Sequence, residues 1–577
     1  MFRPRVPQGS LLESEFLVPP AKAKRLQKTW AEEFRGKALP LIDEGRFAHM
    51  YCEDNGRPNR AVQTVLGVLI LKDSWDLTDE EALQQLEFNP STSSGHRLLW
   101  HYALQLTAEE SHLAQKTLHN FRVRLIKHDA GRVAFCETTD RIIAALGIRT
   151  GRQRLDSTHI MSNMAILTRL GLFCETIRLF LRSLRQAHPE LRRLVPEKLV
   201  GRYLKEEEEA TNYEDARSTV GRRRLSVCAR DLYRLVERFR GTPAARLEEY
   251  GLLQRLLNEQ CEIGSQGDGC PEEDADDAGE SLVPIALKDP CKVSSDSLQS
   301  PHDPDATYSG HKGKGYEVQV AETCDKGNPT QIITHVAVTP SCRSDAAVTV
   351  PVIESLSQRQ VQPKELFADT TYGSGSNAVE AERRGTELVS PVAGPFGKLR
   401  TGSEPRDAGE KEENQLSAAD FQIDVSAERL TVCPAGHTSI DEWEDEAAPE
   451  LVEIHFAQDA CATCPRLLVC PVKPDRRQGA YVLDADLVKV NIERRRRQQA
   501  SGEFAQRYAV RAGVEGTNSE LKRAHGLGHL RVRGGPQVAL AAYLKALACN
   551  MKRMVLALLA QRLAMAKAEE TTVVAAA

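Results

Sequence analysis

The sequence predicts a mixed α/β core, preceded by a helical N-terminal region and broken by one helical and one small cysteine-rich insertion. Three observations lead there. Residues 1–150 and 166–264 carry apolar residues at helical spacing, whereas residues 152–165 and 305–394 alternate as strands do, with short helices between. Four cysteines, Cys433, Cys461, Cys464 and Cys470, crowd a Pro- and Gly-containing stretch. At 577 residues the chain exceeds one ordinary core, so several domains are expected.

Within residues 1–150, RAVQTVLGVLILK (60–72) is periodic and apolar, and LTDEEALQQL places Thr78 and Glu81 at capping-box spacing. A further helix around QKTLHNFRVRL carries Lys116, Arg122 and Arg124. Short helices with a basic one among them suit a helix-turn-helix-like DNA-contacting unit, and equally a bundle with solvated basic faces. RQRLDSTHIMSNMA (152–165) reads as the first core strand, ending in Asp156, Ser157 and Thr158. Leu- and Arg-rich helices fill 166–264, and 265–300 reads as a linker, with seven acids and no base from Asp268 to Glu280.

The core resumes over 301–400. GYEVQVAETC and QIITHVAVTP form a hairpin, SDAAVTVPVIESL a helix, KELFADTTYGS a buried strand ending in Asp369, SNAVEAERRG a helix and TELVSPVAG a strand. Residues 401–480 comprise a linker and the cysteine-rich insertion. Residues 481–565 supply C-terminal helices, and 566–577 a tail. Val538 to Met565 is apolar but interrupted by Lys545, Lys552 and Arg553, which suits a buried amphipathic helix and not a membrane span.

The charge of −5 gives no global sign of a polyanion partner, but its distribution does. Arg494 to Arg533 holds ten Lys/Arg against three Glu, a basic stripe suited to phosphates. The start MFRPRVPQGS lacks the apolar run of a signal peptide, so a cytoplasmic chain with reduced thiols is expected among its 14 cysteines. The Cys-x-x-Cys pair Cys461/Cys464 places two thiolates on one turn, and Cys433 and Cys470 complete a closed tetrahedral zinc set of zinc-ribbon type. His437 is an alternative ligand. Such a site is structural and would stabilise an insert without a core of its own.

Asp156 and Asp369 each close a strand-like segment. Two carboxylates on neighbouring strands and a third on a helix hold two Mg²⁺ (or Mn²⁺) ions roughly 3.5–4 Å apart, the arrangement that activates one oxygen of a phosphodiester and stabilises another. The third acid comes from YAVRAGVEGTNSELKRAHGLGHLRVRG (508–534). On a continuous helix at ~100° per residue, Arg511, Glu515 and Lys522 fall at about 300°, 340° and 320° from Tyr508, and Glu520 falls off that stripe, near 120°. Gly513 and Gly516 weaken such a helix by ~1 kcal/mol each, so a close approach to sheet or DNA is their expected reason.

Tyr508, Arg511, Glu515 and Lys522 match the Y-(2)-R-(3)-E-(6)-K signature of one branch of bacterial insertion-sequence DDE transposases, which this chain resembles. RLDSTHI, LFADTTYGS, DPDATYSGHKGKGYEVQVAET, GLGHLRVRG and the CPAGH…CATCPRLLVC insert resemble family segments as well. The resemblance implies a ribonuclease H-like core, with which the strand pattern agrees, and Asp156, Asp369 and Glu515 as metal-holding catalytic acids. It further implies Tyr508, Arg511 and Lys522 as phosphate contacts, with Arg531 and Arg533 extending that track. The substrate would be double-stranded DNA, at element ends and target, engaged by a homodimer on paired ends in the cytoplasm, at the nucleoid. A stand-alone metal-dependent nuclease and a domesticated DNA-binding protein are the competing readings; the presence of all three acids counts against the latter.

Overall fold

A computed structural model describes residues 1–5, 24–53, 55, 58–87, 96–106, 110, 112–204, 219–264, 285–394, 415–424, 430–475 and 477–576. In the N-terminal region, α1 (Val62–Ser74) is apolar on nearly every side and buried on nearly every side, as a central core helix must be. The capping box forms as expected ahead of α2 (Asp79–Glu87): the Thr78 N–H donates to Glu81 at 2.7 Å and the Glu81 N–H to the Thr78 hydroxyl at 3.1 Å. In α3 (Gln115–Lys127), Arg122 is spent on Asp79 and Arg124 lies over the Tyr51 ring, leaving Lys116 exposed. α4 (Ala130–Leu146) then leads into the sheet.

β1 (Arg152–Ile160) is the central strand. It runs four residues beyond Asp156, so this acid sits in mid-strand and not at the strand end the sequence suggests. After it come the helices of the insertion, the longer ones being α5 (Arg169–Ala187), α6 (Thr219–Phe239) and α7 (Glu248–Gln260), around their own buried cluster that includes Phe180, Phe239 and Leu253. β2 (Cys261–Ile263) pairs antiparallel with β3 (Ile285–Leu287), and Leu298 joins the insertion's core. The expected linker 265–300 therefore narrows: 285–298 packs with the insertion, and 265–284 lies outside the described residues.

The rest of the main sheet follows: β4 (Thr307–Ser309), β5 (Gly313–Thr323), β6 (Ile333–Pro340), α8 (Thr349–Gln358), β7 (Glu365–Phe367), α9 (Gly375–Arg383) and β8 (Glu387–Val389). β5 pairs antiparallel with β1 and with β6, forming the expected hairpin, while β7 runs parallel to both β1 and β8. Across the sheet the order is β6-β5-β1-β7-β8, with β4 on the first residues of β5. The parallel strands are linked through α8 and α9, the crossover that parallel pairing requires.

The cysteine-bearing region is a second sheet, ordered β11 (Lys473–Asp475), β12 (Ala480–Asp486), β10 (Ala448–Ala457), β9 (Asp441–Asp445). Phe421, Ile454, Phe456 and Leu483 are almost wholly buried there. The expectation of an insert lacking its own core is thus corrected: long strands outside the cysteine loops supply the apolar face.

β12 feeds α10 (Leu487–Ala500), then α11 (Gly502–Tyr508), a 3₁₀ turn (Ala509–Ala512), α12 (Gly513–Ala524) and the 42-residue α13 (Gly535–Ala576). α13 packs on α1, α4 and β6, and it continues through most of the expected tail. One continuous buried cluster joins the N-terminal helices, the main sheet and α13, so residue 150 separates no two cores. Among the described residues no helix is long and apolar enough to cross a membrane. Two of the charges interrupting α13 point inward: Lys545 bonds the His525 carbonyl, and Arg553 pairs with Glu322 and Glu520.

Candidate active site

The site is built where α11, the 3₁₀ turn and α12 press against β1 and the end of β7. Tyr508 anchors one end. Its ring stacks on Phe504, and its hydroxyl donates to the Ala368 carbonyl at 3.1 Å, one residue before Asp369. Arg154 anchors the other. From β1 it bonds buried Glu322 at 2.7 Å and donates to the Val510 carbonyl at 2.8 Å. A Cβ on Gly513 would lie 1.8 Å from the Arg154 guanidinium, so this glycine is required by close approach to the sheet, as its sequence context suggests. Around Gly516 a Cβ would meet nothing, so sheet packing does not explain that glycine.

With those anchors set, Asp156 and Glu515 meet at Arg511. Its guanidinium donates to Asp156 at 2.9 Å and reaches Glu515 at 3.4 Å. Asp156 is mostly buried and also accepts from the Asn518 amide at 3.2 Å. Its carboxyl is raised above the ordinary carboxylate range: burial is the largest cause, Arg511 opposes it, and the like charge of Asp369 adds to it. Asp369 is half-buried and accepts the Thr371 N–H at 2.8 Å and the Thr371 hydroxyl, an Asx turn held by Oδ1. The Tyr508 phenol is raised by burial first, with Arg511 opposing and Asp369, Asp156 and Glu515 all adding. Glu515 remains 67 % exposed, available to a ligand from solvent.

Other expected residues fall elsewhere. The 3₁₀ turn at Ala509–Ala512 interrupts the uniform helical phase, so Tyr508 and Lys522 do not belong to one continuous stripe. Burial lowers the Lys522 ammonium, which feels Glu317 and Lys312 in place of the three acids. Arg531 is taken by Asp76, at 2.8 Å, and by backbone carbonyls of the N-terminal region; Arg533 is exposed. Of the basic run, Arg494, Arg495 and Arg497 bond Phe421, Gly373 and Asp420 respectively, and Arg496 is exposed. The local basic surplus is thus partly internal wiring.

Sequence reasoning missed Asn518 and Glu317, the β5 carboxylate that gathers Lys312 and His159 near Ser157. Lys312 donates to Glu317 at 3.0 Å and to the Ser157 hydroxyl at 3.1 Å, and His159 meets Glu317 at 3.1 Å. The only sequence signal for Asn518 is its i+3 position from Glu515.

Cys433, Cys461, Cys464 and Cys470 line one cavity, together with His437, over Phe456. Burial raises the Cys461 thiol to about 11, with Cys433, Cys470 and Cys464 each adding, and the His437 N–H donates to the Cys433 sulfur at 3.4 Å. Among the described residues, however, the set of three potential ligands whose donor atoms all lie within 4.8 Å is Glu520, His525 and Cys549.

Residues 432–555 match the family model of a transposase DDE domain. That span contains the four cysteines and Glu515, whereas Asp156 and Asp369 precede it. The match indicates an enzyme of the metal-dependent polynucleotidyl transferase and endonuclease kind. No curated protein and no solved structure matches the chain.

Proposed function

We propose that the chain cleaves DNA at the ends of an insertion sequence and joins the freed 3′-hydroxyl to target DNA, using Asp156, Asp369 and Glu515 on a ribonuclease H-like core. The observation that carries this reading is Arg511: it bonds mid-strand Asp156 and also reaches Glu515, which lies inside the span matched by the transposase DDE domain. The strand order β6-β5-β1-β7-β8, with β5 alone running opposite to the other four, supports the fold assignment.

The three acids fit Mg²⁺ or Mn²⁺ by donor chemistry: all offer hard oxygens, and a cation would offset the burial and the neighbouring Asp369 charge that raise the Asp156 carboxyl. Such ions, when bound, activate the attacking oxygen and stabilise the leaving one. The chain's own residues do the rest. Asn518 and Arg511 orient the Asp156 carboxylate, and the Thr371 N–H orients Asp369. Tyr508 holds α11 against Ala368, next to Asp369. Arg511 is the phosphate contact nearest the chemistry, exchanging carboxylate for the scissile phosphate as the site loads. Lys522 and Arg533 meet phosphate further along, and Arg531 does so on leaving Asp76. The N-terminal helices, with Lys116 exposed, bind the terminal inverted repeats, and two copies pair the ends.

In the same reading, Cys433, Cys461, Cys464 and Cys470 hold one structural Zn²⁺ that ties their loops onto the second sheet; the shared cavity supports it. The test of function is joining. A pre-cleaved element end incubated with supercoiled plasmid and Mg²⁺ is expected to give strand-transfer product. Nicked plasmid alone would refute transposition in favour of a nuclease.

A further inference from the structure

We propose that Glu520, His525 and Cys549 form a zinc site of their own, separate from the cysteine cluster, which fastens the end of α12 to α13 behind the acid-bearing face. The donor atoms of these three residues already lie within 4.8 Å of one another. His525 is wholly buried. Its Nδ1 lies 2.9 Å from the Asp73 carbonyl, which can only accept, so Nδ1 carries the proton and Nε2 presents a lone pair. That Nε2 is buried without a hydrogen-bond partner and points to Glu520, 3.9 Å from Oε1. A backbone carbonyl behind one imidazole nitrogen, with the other nitrogen left open, is the usual outer support of a metal-bound histidine.

The two remaining donors are divided in the same way. Glu520 uses Oε2 for Arg553, at 2.7 Å, and leaves Oε1 on the His525 side. Cys549 is completely buried on α13 and adds a sulfur. One nitrogen, one sulfur and one oxygen suit Zn²⁺ better than Mg²⁺ or Ca²⁺, which prefer oxygen alone. The nearby cations are matched by carboxylates: Arg553 also binds Glu322 at 3.1 Å, and Lys545 lies 3.4 Å from Asp73 and 3.5 Å from Asp76. As zinc binds, the Cys549 S–H bond breaks, its proton leaves to solvent and a Zn–S bond forms. The site's role is structural. It sets the position of α12, and so of Glu515 and Asn518, relative to the long helix beneath.

The site stands apart from the catalytic reading and from the cysteine cluster, and its test separates the three. Full-length protein is purified with Zn²⁺ and its metal counted by mass spectrometry. Cys549→Ser and His525→Gln are each expected to lower the count by one equivalent, while Cys461→Ser with Cys464→Ser removes a different equivalent and leaves this one. In the latter double variant, zinc X-ray absorption is expected to show one sulfur among nitrogen and oxygen neighbours. Loading it with Co²⁺ in place of Zn²⁺ is expected to give a thiolate charge-transfer band that Cys549→Ser abolishes. An unchanged count in folded Cys549→Ser protein overturns the proposal. Should that variant fail to fold, zinc absorption from the Cys461→Ser with Cys464→Ser protein decides: one equivalent with nitrogen, oxygen and a single sulfur around it supports the proposal, and no bound zinc or sulfur-only ligation overturns it.

Discussion

Glu515 and Glu520 lie five residues apart on α12 in opposite surroundings. Glu515 is exposed and reaches one end of Arg511, at 3.4 Å. Glu520 is held by Arg553 at 2.7 Å, in a network that reaches buried Glu322, Arg154 and the Thr517 hydroxyl. An acid that must exchange partners during a reaction is kept loosely paired. An acid that must hold a helix in place is paired inside the protein, where removing one member leaves an uncompensated charge. Helical phase separates the two even though the 3₁₀ turn breaks the stripe on which the separation was expected.

The largest effect should come from the buried side of this comparison. Glu322→Ala strands Arg154 and Arg553 and is expected to cost about 3–5 kcal/mol in denaturant unfolding; a loss below about 1 kcal/mol would show that the network is not structural. Next, Gly513→Ala forces a methyl into the Arg154 guanidinium and is expected to cost about 1–3 kcal/mol, with DNA cleavage falling alongside as α12 moves off β1. Tyr508→Phe removes the bond to the Ala368 carbonyl and should cost about 1 kcal/mol, while leaving the ring stack on Phe504 intact. The smallest change has the opposite sign. Gly516→Ala faces open space and is expected to stabilise by about 0.5–1 kcal/mol; if it leaves stability intact yet weakens DNA binding, the glycine serves the DNA side.

Much of this arrangement was legible in the sequence because its signals are local. Alternation located β5 and β6, the Thr78–Glu81 spacing located the start of α2, and the flanks of Asp156 and Asp369 marked them as strand-associated acids. What stayed hidden is set by distance along the chain. Arg154 meets Glu322 across 168 positions and Arg553 meets it across 231, so their charges read as ordinary surface until the fold buries them. The same holds for Arg495, whose basic run suggests solvent or phosphate but whose guanidinium is buried on Gly373 and Ser390. The second sheet was missed for a related reason: its core residues are spread from Val379 to Val490, most of them outside the cysteine loops.

The central claim is that Glu515, and not Glu520, completes the catalytic set with Asp156 and Asp369. Its most direct test compares single-turnover cleavage of a cognate element end by Glu515→Gln and Glu520→Gln, each alongside its thermal unfolding. The predicted result is a loss of at least ~10³-fold in Glu515→Gln, equivalent to about 4 kcal/mol of barrier, with an unfolding temperature matching the parent. Glu520→Gln should instead unfold earlier and, while folded, cleave within about tenfold of the parent rate. Full cleavage by a folded Glu515→Gln protein would contradict the assignment.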